Sequence, residues 1–514
     1  MSEIRDYAME KGIAAYRAGD LQTAGNIAET AIAENPNDLT ALQLIASVHM
    51  TAGNYGTAVT VNRMVLELAR AMGVLGSEHW YNLGAALHKT YNKVPALEAL
   101  VNALKLKEDD ADIHSALASY HITYADFEKA EYHARRAIEI DPDSTIGHSN
   151  LGMALLALDR WQEAWPHMEW RKRIKKKWGR PAYPIHEWTG QKVETLIIHG
   201  EQGLGDELFF SSLVPRVYDL ADRVVIECNP RLVPLLRRSL GCEVYSSMAE
   251  CYRNGVFGAD VLSDIQRAET AHAECAPAPI LFPRIDADKL AICAMGSLPL
   301  LTGATRENCT DNAYLQTDPA RTIYWRARLS ALAEGKPIVG VAWQGGTYDN
   351  HKALRNPPRR MFERLSPERY CLVSVQYTDT AASHAARMGM FHFQQAIDDI
   401  DEQAAIIRAL DCLVSVAQTA LHIGGAVGTK TLALIGQHPK WDCGASGDSV
   451  PWWKSVKAIR QRDDDWEGVF DRLLAELGEK PSERKMARFG AVPDFSQLHI
   501  GGSDASPSDI RAAE

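Results

Sequence analysis

The sequence predicts an α-helical solenoid of paired helices followed by two α/β units whose parallel sheets face one another across a cleft. Small residues recur at a fixed interval through the first third of the chain, and the remainder alternates short apolar strands with helical stretches. A length of 514 residues, at roughly 150 per domain, calls for about three cores.

The solenoid comes first. Gly12, Ala46, Gly84, Ala118 and Gly152 are separated by 34, 38, 34 and 34 residues. Ala24, Ala58, Ala96, Ala130 and Ala164 run in parallel with the same steps, so a four-residue insertion lies between Ala58 and Gly84. A small residue on each of two helices lets them approach closely. Pro36 and Pro142 stop the second helix of a unit because proline has no N–H to donate. With Trp80, Leu83, Gly84, Ala96 and Ala103 in the third unit, and Leu151, Gly152 and Ala164 in the fifth, the array resembles the tetratricopeptide repeat (TPR). Glu108 departs from that pattern where a terminal Pro belongs. Such an array implies a superhelix whose concave wall takes a protein or peptide. Alternatively, it serves only as a spacer or homodimer contact.

The array, residues 1–170, leads into a basic and Pro-containing linker, residues 171–192, with the run Arg171 to Arg180. That run reads either as a solvated helix face or as a surface for phosphates or acidic lipid. From residue 193 the period changes. Thr195–His199, the loop Gly200-Glu-Gln-Gly-Leu-Gly-Asp206, a helix through Leu213 and the strand Arg223–Cys228 read as a βαβ opening of a first half, residues 193–334. A second half, residues 335–478, has strands at Ile338–Trp343, Tyr370–Val375, Cys412–Val416 and Thr431–Ile435. Ligands in such sheets sit beyond the carboxyl ends of the strands. The stretch Glu269–Thr322 shows few clear elements, and residues 479–514 read as a disordered tail.

Two loops carry the candidate chemistry. Gly203 and Gly205 allow close approach to a ligand, but Leu208 occupies the third glycine position of a dinucleotide fingerprint, so that motif fails. Asp206 reads either as an ordinary first-turn acid or as a base at the cleft. In the second half, Gln418 or Thr419 can cap the helix after Val416, with His422 over the same end and Gly424 and Gly425 packing on the sheet. A helix start of this kind suits a pyrophosphate; a capped helix with a buried His is the alternative.

Composition narrows the classes. With 55 Lys+Arg against 66 Asp+Glu and a net charge of -11, nucleic acid is not the expected main partner. An apolar run long enough to span a membrane is not expected, and the acidic start Met1-Ser-Glu-Ile-Arg-Asp points to a cytoplasmic protein. The nine cysteines are scattered singly, which argues against a disulfide framework and a zinc site.

Taken in order, Gly200–Leu208, Gly340–Gly345, Val414–Ala426 and Pro451–Val456 resemble bacterial TPR proteins with a heptosyltransferase-like GT-B domain, two Rossmann-like halves facing a cleft. The resemblance implies a glycosyltransferase that uses a nucleotide-sugar as substrate, without metal or other cofactor, with Asp206 as general base. It places donor contacts at Gly203, Gly205, Trp343, Gln344, Gly345, Lys352, Gln418, Thr419, His422, Gly424 and Gly425. The family's D-T-G loop falls on Ala417 to Thr419, so its acid is missing here. By architecture the chain is also similar to enzymes that glycosylate proteins, several of them associated with flagellin modification. The expected acceptor is therefore Ser or Thr of a polypeptide held by the repeats. A peptide-binding scaffold that has lost catalysis and a transferase acting on a lipid-linked glycan stay open.

Overall fold

The computed structural model describes residues 2–173, 183–273, 285–309, 313–345, 354–463 and 465–478, with side chains from residue 7 onward. Lys352, the basic residues 174–180 and the expected tail 479–514 lie outside them.

Ten helices form five antiparallel pairs: α1 (Ser2–Ala18) with α2 (Leu21–Glu34), α3 (Leu39–Thr51) with α4 (Tyr55–Ala71), α5 (Ser77–Lys89) with α6 (Lys93–Leu106), α7 (Ala111–Thr123) with α8 (Phe127–Ile140), and α9 (Thr145–Ala157) with α10 (Trp161–Met168). The region is TPR-like. Ala24, Ala58, Ala96, Ala130 and Ala164 are all fully buried. A β-carbon on Gly84 would come within 2.8 Å of Leu100, and one on Gly152 within 2.7 Å of Met168. The small residues therefore set how closely each pair packs. The four-residue insertion is absorbed largely by α4, at 17 residues against 14 in α2, α6 and α8. Asp20, Asp38, Asp110, Asp126 and Ser144 each cap the following helix through a side-chain oxygen.

The turn inside each pair contains one left-handed residue, and these repeat with the same steps: Gly19, Gly53, Tyr91, Ala125 and Asp159, with φ of 86°, 83°, 59°, 57° and 60°. Only the first two are the glycine that this conformation favours.

Two sheets follow. In the first, β1 (His186–Glu187), β2 (Val193–His199), β3 (Ala221–Glu227), β4 (Glu243–Tyr245) and β5 (Leu290–Ala294) lie parallel in the order β1-β5-β2-β3-β4. In the second, β6 (Ile338–Ala342), β7 (Cys371–Ser374), β8 (Phe391–His392), β9 (Cys412–Val416), β10 (Thr431–Ile435), β11 (Ser449–Val450) and β12 (Trp453–Arg460) take the order β11-β12-β10-β9-β6-β7-β8. Among these described strands, only β11 runs antiparallel to its neighbour. Strands β6, β9 and β10 are buried throughout, as unbroken apolar runs in a parallel sheet should be.

Two expectations need correcting. The residues read as a linker supply β1, with Ile185 and Trp188 buried beside it, because Trp188 N–H donates to the Ile292 carbonyl across the β1–β5 edge at 2.8 Å. The stretch without clear elements contains β5, an interior strand whose five buried residues show no alternation. The helix after Gly203 also ends earlier than expected, at Ser211, and continues as a 3-10 turn, Val214–Leu220. Among the described residues, eight cysteines are free thiols, seven of them buried.

The three parts share one continuous core. Trp161 of α10 stacks on Trp452 at 5.4 Å, and Trp452 lies 3.7 Å from the ring of Phe209. Trp165 meets Trp441 edge-on at 6.0 Å and donates its indole N–H to the Ala304 carbonyl at 2.8 Å. Trp452 donates to Ser212 Oγ at 2.9 Å. Arg171, expected on a solvated face, is instead buried with Glu201: their side chains are 8% and 4% exposed, with N–H···O distances of 2.5 to 3.2 Å. Burial is tolerated because Glu169, Ser297 and the Met168 carbonyl take further guanidinium donors.

Two stability changes are expected. Ala125→Gly relieves the left-handed turn and should raise the unfolding free energy by about 1 kcal/mol, read from urea denaturation; a loss would contradict the strain. In repeat four, His114 Nδ1 lies 2.9 Å from His133 Nδ1, and His121 stacks on His133 at 5.6 Å. Burial, with the neighbouring His114 and His121, pushes His133 down to about 4. Between pH about 6.5 and 4 the unfolded chain takes up a proton that the folded chain refuses. Stability should therefore fall on acidification through that window, by at most about 1.4 kcal/mol per pH unit. The melting temperature of His133→Gln should vary less over the same range.

Candidate functional site

The helix starts at Leu204 and Thr419 meet where the two halves face each other. A β-carbon on Gly205 would stand 3.4 Å from His422 Cδ2 and 3.7 Å from Thr419 Oγ1, ordinary contact distances. A bulkier residue there would push the two halves apart.

Two of the three acids in the first-half loop and the helix turn that follows it are committed to its shape. Glu201 holds Arg171 and accepts from Gly296 N–H at 3.0 Å. Glu207 is buried under Gly200 and accepts from Asn229 N–H at 2.9 Å. Asp206 is half-buried, and its Oδ2 accepts from Gly203 N–H at 3.2 Å, so it caps its own helix. Gly203 is the exposed N-cap residue.

On the other side, Thr419–Ala426 starts after Gln418, which occupies the N-cap position but makes no side-chain cap bond. The capping expected of Gln418 is therefore not made. Its amide is buried, 8% exposed overall, and neither its nitrogen nor its oxygen has a hydrogen-bond partner among the described residues. Gly424 and Gly425 face inward. A β-carbon on Gly424 would come within 2.7 Å of Leu413 and Thr431, and one on Gly425 within 2.7 Å of the Trp453 indole. Their α-carbons are committed to packing against the sheet.

His422 is buried and fixed from both sides. Trp453 Nε1–H donates to Nδ1 at 3.2 Å, which leaves the proton on Nε2, 3.5 Å from Asp442 Oδ2. The ring of Phe209, from the first half, meets His422 edge-on at 5.8 Å. The same Asp442 oxygen lies 3.2 Å from Lys440 Nζ. Burial alone would push the Asp442 carboxyl up, but the Lys440 ammonium and the His422 bond outweigh it and hold it far below the carboxylate range. Lys440 is raised in turn, by Asp442 first and also by Asp206.

At the end of β6, the Trp343 and Gln344 N–H groups donate to Gln376 Oε1 at 3.0 and 2.9 Å, and Gly345 exchanges a pair of 3.1 Å bonds with the Asn356 amide. The buried Trp343 indole N–H has no partner among the described residues. Beside it opens a cavity of about 540 Å³ lined by Trp343, Gln344, Asn356, Arg359, His438 and Trp466. Tyr124, from α7's end, meets His438 edge-on at 5.5 Å, so the repeats reach the rim of this cavity. No group of three or more metal-ligating side chains occurs among the described residues, and none of their helices is long and apolar enough to cross a membrane.

Gly203, Gly205, Asp206, Gln418, Thr419 and His422 thus lie on the two helix starts that meet, while Trp343 and Gln344 line the cavity and Gly345 packs against Ala417 and Gln418. Lys352 lies outside the described residues. The sequence reading missed Gln376, Asn356, Lys440 and Asp442. Of these, Lys440 and Asp442 follow the end of β10, and a strand's carboxyl end is a signal that could have flagged them.

No family model matches the chain. Protein FlbA of Caulobacter vibrioides is 26% identical over 419 residues, 77% of this chain; the match spans 66% of that protein's length, just under two thirds. Among solved structures, the thermophilic TPR protein TTC0263 of Thermus thermophilus is 19% identical, with a TM-score of 0.30 over 33% of this chain and 96% of its own. MamA 41-end from Desulfovibrio magneticus is 22% identical, TM-score 0.29, over 33% and 96%. YrrB, described as a TPR protein with an unusual peptide-binding site, is 18% identical, TM-score 0.26, over 33% and 84%.

Breaking the pair that holds the Gly200–Asp206 loop should be costly. Glu201→Gln removes the more buried of Arg171's two counter-charges, with Glu169 left to pair it, and should lower stability by about 1–3 kcal/mol, while Arg171→Met with Glu201→Leu should recover most of it. Urea midpoints of the three proteins check this, and a harmless single variant would refute it.

Proposed function

We propose that the chain is a GT-B-type glycosyltransferase that moves a sugar from a nucleotide-sugar donor to a hydroxyl, with Ser or Thr of a polypeptide held by the repeats as acceptor. One observation supports the reading: the helix start that carries Asp206 meets the helix start of the second half, where a β-carbon on the neighbouring Gly205 would stand 3.4 Å from His422 and 3.7 Å from Thr419, beside the unbonded Gln418 amide. An acid opposite a helix N-terminus is a pairing that transfer to a hydroxyl can use, because one group takes a proton while fixed N–H dipoles receive the leaving phosphate. In this reading Asp206 releases its bond to Gly203 N–H and accepts the acceptor's proton. Closure of the halves would exclude water that otherwise hydrolyses the donor.

Two observations bear on the alternatives. Ala417 in place of the family's acid favours a peptide-binding scaffold without catalysis. The lipid-linked acceptor loses support, because Arg171 is buried and Lys172 is paired with Glu169 and Glu187. The flagellin-like acceptor rests on architecture alone.

Titration with a panel of nucleotide-sugars separates transferase from scaffold: binding of one of them is expected, and binding of none, with protein partners retained, would support the scaffold. Asp206→Asn should cut turnover by about 10²-fold or more while leaving donor binding intact. Near-normal turnover would remove Asp206 from the chemistry.

A further inference from the structure

The segment after β10 brings two charged groups into the cleft that neither the repeat pattern nor the glycine loops predict. Asp442 is 5% exposed; its Oδ2 is shared by Lys440 and His422, while its buried Oδ1 has no hydrogen-bond partner among the described residues. Lys440 is different: its side chain keeps 39% exposure. Its ammonium carries three donors, and the Asp442 carboxylate is the hydrogen-bond partner found among the described residues. Asp206, across the cleft, lies within its electrostatic range. Behind it, the contacts Trp453 to His422 and His422 to Asp442 fix the carboxylate that anchors it. A buried carboxylate thus holds a partly exposed ammonium beside a helix start whose Gln418 amide is unbonded.

We infer that Lys440, anchored by Asp442, is a further residue of the transfer site, the cation that contacts the donor's diphosphate as it leaves. The inference rests on the transferase reading above. In the step, the acceptor oxygen forms a bond to the anomeric carbon as the bond from that carbon to the diphosphate oxygen breaks. The electron pair of the broken bond stays on the diphosphate, the acceptor proton passes to Asp206, and the charge gained by the diphosphate is met by Lys440. Asp442 is a positioning residue: its charge is balanced by Lys440 before the donor arrives, and its bond to His422 keeps that imidazole in one tautomer.

Calorimetric titration of the full chain with UDP, GDP, CDP and ADP, and with the matching nucleosides, tests this without knowledge of the sugar. Lys440→Gln should weaken the diphosphate that the wild type binds by about tenfold or more and leave the nucleoside's affinity unchanged. Lys440→Arg should retain most of the diphosphate affinity. Lys440→Gln with Asp442→Asn removes both charges, so it keeps the test valid if the single variant folds poorly, and it too should bind the diphosphate weakly. Wild-type diphosphate affinity in the double variant would overturn the inference while leaving the transferase reading intact. A wild-type chain that binds none of the four diphosphates would instead bring down the transferase reading, and the inference with it.

Discussion

The structure depends on the aromatic junction at which Trp161 and Trp165 of the last repeat meet Trp441, Trp452 and Phe209. These rings come from α10, from the helix after the first glycine loop, and from the stretch between β10 and β12. Large aromatic side chains bury more area than any other type and pack at specific angles, so a cluster drawn from three parts fixes their relative placement. The two indole N–H groups of Trp165 and Trp452 are satisfied, by Ala304 and Ser212. The repeats therefore form part of one core with the sheets, through helices that a freestanding solenoid would leave exposed.

That placement determines the site. Trp441 belongs to the junction, and its neighbours in sequence, Lys440 and Asp442, face the helix starts that carry Asp206 and His422. His438, two residues before Lys440, meets Tyr124 of the repeats and lines the cavity beside Trp343. One short segment thus touches solenoid, cavity and helix starts together. Buried charge follows the same logic. Arg171 and Glu201 pair with each other and the buried Asp442 pairs with Lys440, because an unpaired charge at those depths would not persist.

Some of this was legible in residue order. The 34-residue period located ten helices because a period averages over many positions, and the insertion was visible as one longer step. Strands β9 and β10 begin and end where their apolar runs do, since both faces are covered. Short strands escaped. Two residues at β1 and β8, or three at β4, are too few for any pattern, and they are strands only because a longer neighbour offers an edge. Arg171 was misread for a related reason: a basic run looks solvated until a carboxylate thirty residues on is folded against it.

The sequence by itself determined the periodic helix pairs, the strands buried on both faces, and Asp206 and Thr419 at helix starts, because each is a local property of spacing and residue type. Tertiary structure alone decided that those two helix starts meet. It also decided that Lys440 and Asp442 stand beside them. Those relations join residues far apart in the chain, and burial and charge pairing, which no local spacing encodes, bring them together.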